Sequence, residues 1–462
     1  MIVLKFGGSS LADAELIRNV MGIIGKYVYN EDEVAVVISA MGGVTDQLLN
    51  ICKSVADGTG AAENIIRELE KKHLETAGIL LPVQKQPEVM AEIMSLCNEL
   101  SDIVHGAQLL SEVTPRTRDI ILSFGERLSA YIISQALKMK IPQTIYTDSR
   151  KIIRTDSGFG MAKVDVDTSN ILIKKYFNDN KGLKVITGFI ASDAAGQTTT
   201  LGRSGSDYTA TIIGAATDAR AVEIWSDTDG VMTADPRYVP DARSIEKLSY
   251  HEAMELSHFG ARILFPLSLQ PAMMKHIPVI VKNTFNPDHR GTLICSESNG
   301  SNGLIKGITS LREISIINVE GSGMTGVAGV AARLFNALWH SEINVIFISQ
   351  ASSEHSICLA VMQDEACRAT QVIREVFAQE LASGLISSVN FEKELAIVAV
   401  VGEGMRQRPG VAARVFEPLG ANNINIKAIS QGSSELNISF VIREADLRKT
   451  LQVLHESMFR KK

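Results

Sequence analysis

Lys5 ends the apolar run MIVLK and is followed at once by Phe6, Gly7, Gly8 and two serines. Glycine has no Cβ, so a strand that stops at Gly7-Gly8 can turn sharply and leave N–H groups facing a ligand. A helix starting after that turn adds the positive end of its dipole, which favours an anion. With the lysine charge, this is the chemistry of a phosphate cradle. The P-loop pattern GxxxxGK[ST] and the HRD and DFG segments of protein kinases are absent from the chain. Taken alone, KFGGSS reads equally well as a tight strand–helix turn carrying a solvated lysine.

Four further segments carry residue types suited to chemistry. In TTTLGRSGSDYTA (198–210), Gly202 and Gly205 bracket Arg203 and Ser204, and Ser206 and Asp207 open an apolar helix. A guanidinium can grip a carboxylate with two parallel hydrogen bonds. Asp207 beside a helix start could fix Lys5 or a metal-bound phosphate, although Ser and Asp are also ordinary N-caps. SAMGGVTDQ (39–47) is another strand-to-helix turn, with Ser39 and Thr45. SFGERLS (123–129) reads as a helix start bearing Glu126, where the dipole alone would favour a carboxylate; the other reading turns Glu126 inward to receive a substrate ammonium. WSDTDGVMTADPR (225–237) is an acidic loop with Asp227, Asp229 and Asp235. It follows a strand, and the C-terminal ends of strands are where α/β sheets bind ligands.

The elements that must position these residues alternate. Residues 2–6 read as a buried strand, and residues 12–28 carry Ile17, Val20 and Ile24 on one helical face. VAVVISA (34–40) is a β-branched run of the kind buried on both faces of a parallel sheet. Similar runs recur at 145–148, 184–191, 221–227 and 278–283, mostly with helical patterns between them. The pattern predicts a doubly wound α/β fold with a mainly parallel sheet. Residues 60–112 read as a helical excursion from it.

At 462 residues the chain should hold roughly two to four domains. A net charge of −6 and the lack of a basic run argue against nucleic acid as a partner. No stretch of about 18 apolar residues exists, so no membrane partner is expected. Cys52, Cys97, Cys295, Cys358 and Cys367 have no metal-ligand spacing and read as reduced, small buried residues of a cytoplasmic protein.

Around SESNGSNG (296–303) the composition shifts to that of a linker. Beyond it the chain repeats: GSGMTGVAGVAARLF at 321 matches GEGMRQRPGVAARVF at 402, and INVIFISQASSEHSI at 343 matches INIKAISQGSSELNI at 424. Both pairs are 81 residues apart. Each copy reads as strand, Gly-rich turn, helix, strand, turn and strand, an α+β module of about 70 residues.

In this order, KFGGSS, SAMGGVTDQ, SFGERLS, TTTLGRSGSDYTA, WSDTDGVMTADPR and FGARILFP resemble the aspartate kinases of the amino-acid kinase family over essentially the whole chain. The repeats resemble that family's tandem ACT modules, and QASSE and QGSSE are most similar to those of threonine-sensitive aspartokinase–homoserine dehydrogenases. The resemblance implies a kinase domain over 1–297 and ACT-like modules over 298–390 and 391–462. It implies transfer of the ATP γ-phosphoryl group to the β-carboxylate of L-aspartate, with Mg²⁺. The nucleotide-binding unit of the bifunctional enzymes does not follow FRKK, so dehydrogenase activity is not expected of this sequence.

By position, Lys5, Asp207 and Arg203 would be catalytic, with Lys5 on the transferring phosphate and Gly7 and Gly8 donating N–H groups. Ser39, Thr45, Glu126, Arg203 and Ser206 would hold aspartate, Arg203 on its α-carboxylate and Glu126 on its ammonium. Ser226, Asp227, Met232, Arg237 and Arg262 would line the nucleotide. Met232 stands where the family usually has Tyr, Arg262 where it has Lys, and Phe265 where it has His. Gln350 and Gln431, with Asn344 and Asn425, would bind an effector amino acid, threonine favoured over lysine. Pairing of ACT modules implies a homodimer or larger assembly. Two other readings stand beside this one: another amino-acid carboxylate kinase, and a catalytically silent amino-acid sensor.

Overall fold

The run ending at Lys5 forms β1 (Ile2–Phe6), buried along nearly its whole length. It is followed by α1 (Ala14–Tyr29), β2 (Val34–Ile38), α2 (Val44–Ala56), α3 (Ala62–Leu80), α4 (Gln86–Leu110) and α5 (Pro115–Lys138). Next come β3 (Ile145–Thr147), β4 (Arg154–Thr155), α6 (Val166–Asp179), β5 (Lys184–Thr187), β6 (Ile190–Asp193), β7 (Thr198–Thr200), α7 (Gly205–Ala216) and β8 (Ala221–Ser226). Then follow β9 (Lys247–Ser249), α8 (Tyr250–His258), α9 (Pro266–Met274), β10 (Val279–Asn283) and β11 (Thr292–Cys295). This computed structural model describes residues 1–30, 33–260, 264–296, 303–322, 329–350 and 355–459. The linker-like stretch is therefore largely outside the described residues.

The chain forms two units. The first comprises Met1–Val231, Glu246–Tyr250 and Ile263–Glu297, and the second Met232–Ile245, His251–Arg262 and Ser298–Lys462. The first is built on an eight-stranded sheet of order β3-β5-β2-β1-β8-β10-β11-β9. Strands β3 to β10 in that order run parallel, and β11 pairs antiparallel with β10. Parallel strands need helical crossovers, which cover both faces and explain the unbroken apolar runs. β1 lies centrally, between β2 and β8.

The run at 184–191 is not one strand. β5 belongs to the large sheet and β6 to a three-stranded sheet with β4 and β7. The break falls at Gly188 and Phe189, whose φ is +65°. A Cβ on Gly188 would stand 2.5 Å from Ser206 Oγ, and the Phe189 N–H donates to Thr209 Oγ1 (3.1 Å). Packing against α7, not local propensity, ends the strand.

In the second unit, β12 (Gly307–Glu320), α10 (Val330–His340), β13 (Phe347–Gln350), β14 (Ser356–Met362), α11 (Ala366–Val376) and α12 (Ala378–Ala382) precede β15 (Ser388–Val401), α13 (Val411–Ala421), β16 (Ala428–Ser430), β17 (Asn437–Arg443) and α14 (Leu447–Phe459). The 81-residue offset holds in the structure, since β12, α10 and β14 map residue for residue onto β15, α13 and β17. Even the left-handed residues repeat, as at Glu313 and Glu394. Each copy also has a closing helix, α11 or α14, that the sequence reading did not include.

The copies form one six-stranded sheet, ordered β13-β14-β12-β15-β17-β16, through the long antiparallel pair β12–β15. Ile317 and Val319 of β12 join Val389 of β15 in the core under α10 and α11. Ile308 of β12 joins Val398 and Val400 of β15 in the core under α13 and α14. Each hydrophobic core thus uses strand residues from both copies. All five cysteines are free; Cys52 and Cys97 are buried, but Cys367 is exposed, contrary to the sequence expectation.

Candidate active site

Lys5 sits opposite Val37 of β2 and Ile224 of β8, at the C-terminal edge of the parallel strands. Its side chain folds back over the following turn, where a Cβ on Gly7 would lie 3.5 Å from Lys5 Nζ. Nζ stands 2.5 Å from Asp207 Oδ1, with side chains 12% and 6% exposed. The contact is a short, nearly buried ion pair. The carboxylate fixes the ammonium at the strand end, and an ammonium has donors beyond the one turned to Asp207.

Asp207 lies in the first turn of α7, whose N-cap is Ser204 at φ +55° with no side-chain cap bond. Neither Ser206 nor Asp207 caps the helix, which removes the bland reading of that segment. One sequence expectation changes here: the Gly7 N–H is taken by Trp225 O at 3.3 Å. Gly7 contributes space for the lysine rather than a donor.

The turn after β2 packs on the turn after β1. A Cβ on Gly8 would approach Ala40 O to 3.1 Å, and one on Gly42 would meet Ala12 Cβ at 2.8 Å. The Ser39 N–H donates to Phe6 O (3.2 Å), Ser129 Oγ donates to Ser39 O (2.7 Å), and Lys72 Nζ donates to Gly42 O (2.5 Å). Thr45 is exposed at the start of α2, Ser39 is half-buried and Ser206 is buried.

Glu126 is not at a helix start. Thr114 caps α5, accepting from the Thr117 N–H, and Pro115 follows at the first helical position. Glu126 lies mid-helix and is 4% exposed, accepting the Ala40 N–H at 3.2 Å. Burial pushes its pKa up to about 8, against the lowering effects of the Ala40 and Glu126 N–H groups and of the Lys5 charge. The helix dipole does not explain this carboxylate; its inward position does.

Gly125 explains how α5 comes so close. A Cβ there would lie 2.8 Å from Ala40 Cβ and 3.3 Å from Leu48 Cδ1. Gly125→Ala gains about 1 kcal/mol in helix propensity, but overpacking costs about 1–3 kcal/mol. We expect a net loss of melting temperature, because Ala40 must shift. A higher melting temperature in a thermal scan would show that the contact is loose.

Arg203 is exposed and, among the described residues, makes no ion pair or hydrogen bond. It immediately precedes the N-cap of α7, one turn before Asp207. Lys5, Asp207, Glu126 and Arg203 thus belong to one end of the first unit, and among the described residues Arg203 has no counter-ion. On the nucleotide side, Ser226 ends β8, its Oγ 3.3 Å from Thr228 Oγ1, and Asp227 is exposed. Met232 and Arg237 belong to the second unit, where Arg237 pairs with Asp235 at 2.6 Å. Arg262 lies outside the described residues. Phe265 precedes α9 as its N-cap.

Sequence reasoning missed several supports. Tyr27 Oη and Trp225 Nε1 both donate to Glu223 Oε2 (2.6 and 3.1 Å), bracing β8 just before Ser226. Lys72 and Gly188 had no motif to mark them, and Ser129 closes SFGERLS without having been assigned a part. Asp119 was legible only as a carboxylate seven residues before Glu126.

In the second unit, Asn344, Gln350, Asn425 and Gln431 are all exposed. Gln350 ends β13, whereas Gln431 lies just past β16. Among the described residues no cluster of three or more His, Cys, Asp or Glu could hold a metal, and no helix is long and apolar enough to cross a membrane.

Residues 1–283 match the amino acid kinase family, and residues 317–377 and 398–458 each match an ACT domain. The chain belongs to the amino acid kinase family. Among its kinase relatives, a bifunctional aspartokinase/homoserine dehydrogenase of Buchnera aphidicola is 35% identical over 99% of this chain and 56% of its own length. Aspartokinase 1 of Arabidopsis thaliana is 33% identical, over 99% of this chain and 80% of its own. This amino acid kinase spans about half the length of most of the curated relatives it matches. E. coli aspartokinase III in complex with aspartate and ADP superposes over the whole of both chains with a TM-score of 0.85 and 29% identity. The same enzyme with lysine and aspartate gives 0.78.

Proposed function

We propose that this chain is an aspartate kinase, moving the γ-phosphoryl group of ATP to the β-carboxylate of L-aspartate under feedback control by an amino acid. The observation that carries this reading is the Lys5–Asp207 pair beside buried Glu126, one helical turn from an Arg203 that has no counter-ion among the described residues. A zwitterionic acceptor offers Arg203 an α-carboxylate and Glu126 an ammonium. An acetylated acceptor would leave Glu126 buried without its partner.

The acceptor carboxylate is already ionised at neutral pH, so the chemistry needs positioning and charge neutralisation rather than a general base. Lys5 meets the transferring phosphate, and Asp207 fixes the lysine. Ser39, Thr45 and Ser206 complete the acceptor side. Gly8, Ser226, Asp227, Met232, Arg237 and Arg262 are assigned to the nucleotide by resemblance. Mg²⁺ would arrive with the nucleotide, held by its phosphates and by water, and by resemblance Asp207 would order that region beside Lys5.

Residues 298–390 and 391–462 are proposed as the regulatory modules and 1–297 as the kinase domain, in a homodimer or larger cytoplasmic assembly. Four side chains assigned to the effector, Asn344, Gln350, Asn425 and Gln431, are neutral amides. They suit the hydroxyl of threonine better than a second ammonium, although the E. coli neighbour was solved with lysine. A cavity of about 260 Å³ lined by Ile348, Ser430, Gly432 and Asn437 flanks Gln431.

Coupled ADP release with aspartate, glutamate and N-acetylglutamate tests the proposal. Turnover is expected with aspartate alone, and millimolar threonine should suppress it more than lysine does. No turnover with any acceptor would favour an amino-acid sensor; indifference to both effectors would defeat the regulatory half.

A further inference from the structure

Asp119 is fully buried on α5, seven residues before Glu126. Seven residues are nearly two helical turns, so both carboxylates leave the same face, about 10 Å apart along the axis. Asp119 touches no member of the proposed catalytic set. Its Oδ2 accepts the backbone N–H groups of Gly160 (2.8 Å) and Thr200 (2.9 Å), and its Oδ1 accepts the Thr200 hydroxyl (2.8 Å).

Those two partners flank the Arg203 turn. Thr200 ends β7, three residues before Arg203. Gly160 precedes Met161, and a Cβ on Gly202 would stand 3.1 Å from Met161 Cγ. On the other side, a Cβ on Gly205 would come within 2.7 Å of Phe189 Cδ2. The Arg203 turn is therefore boxed by two glycine contacts and tied to α5 by one carboxylate. A buried carboxylate is costly unless its lone pairs are filled, and here three donors fill them.

We propose that Asp119 is the positioning residue of Arg203, so that α5 ties together the ammonium receptor at Glu126 and the carboxylate receptor at Arg203. The proposal rests on the assignment of Arg203 and Glu126 to an amino-acid acceptor. Loosening Asp119 lets the guanidinium wander without disturbing Lys5, Asp207 or the nucleotide turns. The loss therefore falls on acceptor affinity, while turnover at saturation and nucleotide affinity are spared.

Steady-state kinetics of Asp119→Ala should show the aspartate KM raised at least tenfold, with the ATP KM changed less than twofold and kcat less than threefold. Asp119→Asn should restore the aspartate KM to within threefold of wild type, since the amide oxygen can take both N–H groups and its NH₂ can donate to Thr200 Oγ1. Thr200→Val, which loses only the Oδ1 bond, should raise it two- to fivefold and keeps the test alive if Asp119→Ala does not fold. In the double variant Asp119→Ala/Arg203→Ala, the Asp119 change should add nothing to the Arg203 loss. An unchanged aspartate KM, an equal rise in both KM values, Asn behaving like Ala, or fully additive losses would each overturn the proposal. Arg203→Ala with a normal aspartate KM would instead overturn the acceptor assignment on which it rests.

Discussion

Glu126→Gln should cost the enzyme its acceptor while making the fold more tolerant of alkali. Loss of a charge-assisted contact to the ammonium is worth about 3 kcal/mol, or roughly a hundredfold in kcat/KM for aspartate. The ATP KM should stay near that of wild type. The stability effect follows from the carboxyl's pKa of about 8 in the fold against an ordinary value of 4.5. Between those values the folded protein holds a proton that the unfolded chain has released. Stability therefore falls as pH rises through that window, and the contribution is complete only below about 4.5. Glutamine cannot titrate, so the variant should match wild type near the acidic end and exceed it at pH 8. In wild type, kcat/KM for aspartate should rise with pH toward that value, because the ammonium needs the ionised form. A stability difference between the two proteins that did not change with pH, read from urea melts across this range, would refute the buried-carboxyl account.

Lys5→Met is expected to reduce turnover by about 10²–10³-fold, the usual consequence of deleting one electrostatic contact to developing charge. It also strands Asp207, whose side chain is only 6% exposed. Breaking a buried pair from one side costs about 3–5 kcal/mol, so the melting temperature should drop as well. The double variant Lys5→Met/Asp207→Asn separates the two effects. It removes the orphaned charge and should recover much of the stability while remaining inactive. Full turnover in the single variant would remove Lys5 from the chemistry. Recovery of turnover in the double variant would show that the lysine serves only to balance Asp207.

Both results depend on features that differ in how openly the sequence displays them. β1, β2, β8 and β10 are apolar runs because parallel strands are covered on both faces, and that requirement is visible in composition alone. The 81-residue repeat is a property of the letters themselves, and the paired elements of the second unit follow it to the residue. Lys5, Arg203 and Asp207 stand out by residue type and neighbouring glycines, since a turn after a strand is a local event, whereas Glu126 was marked by its type but misplaced at a helix start.

What the sequence could not decide were the distances across the fold. Gly125 looks like a helix breaker beside Glu126, yet it is the contact that admits Ala40, and α5 runs through it. The run at 184–191 looks like one strand, yet α7 splits it between two sheets. Gly7 looks like a donor, yet Trp225 occupies its N–H. The hydrophobic cores of the second unit are completed by strands exchanged between the copies, which no repeat pattern announces. The reason is common to all four. Local composition fixes which face a residue prefers, whereas close approach between segments far apart in the chain depends on the absence of a Cβ or the reach of one carboxylate, and these acquire meaning only when the second segment is in place.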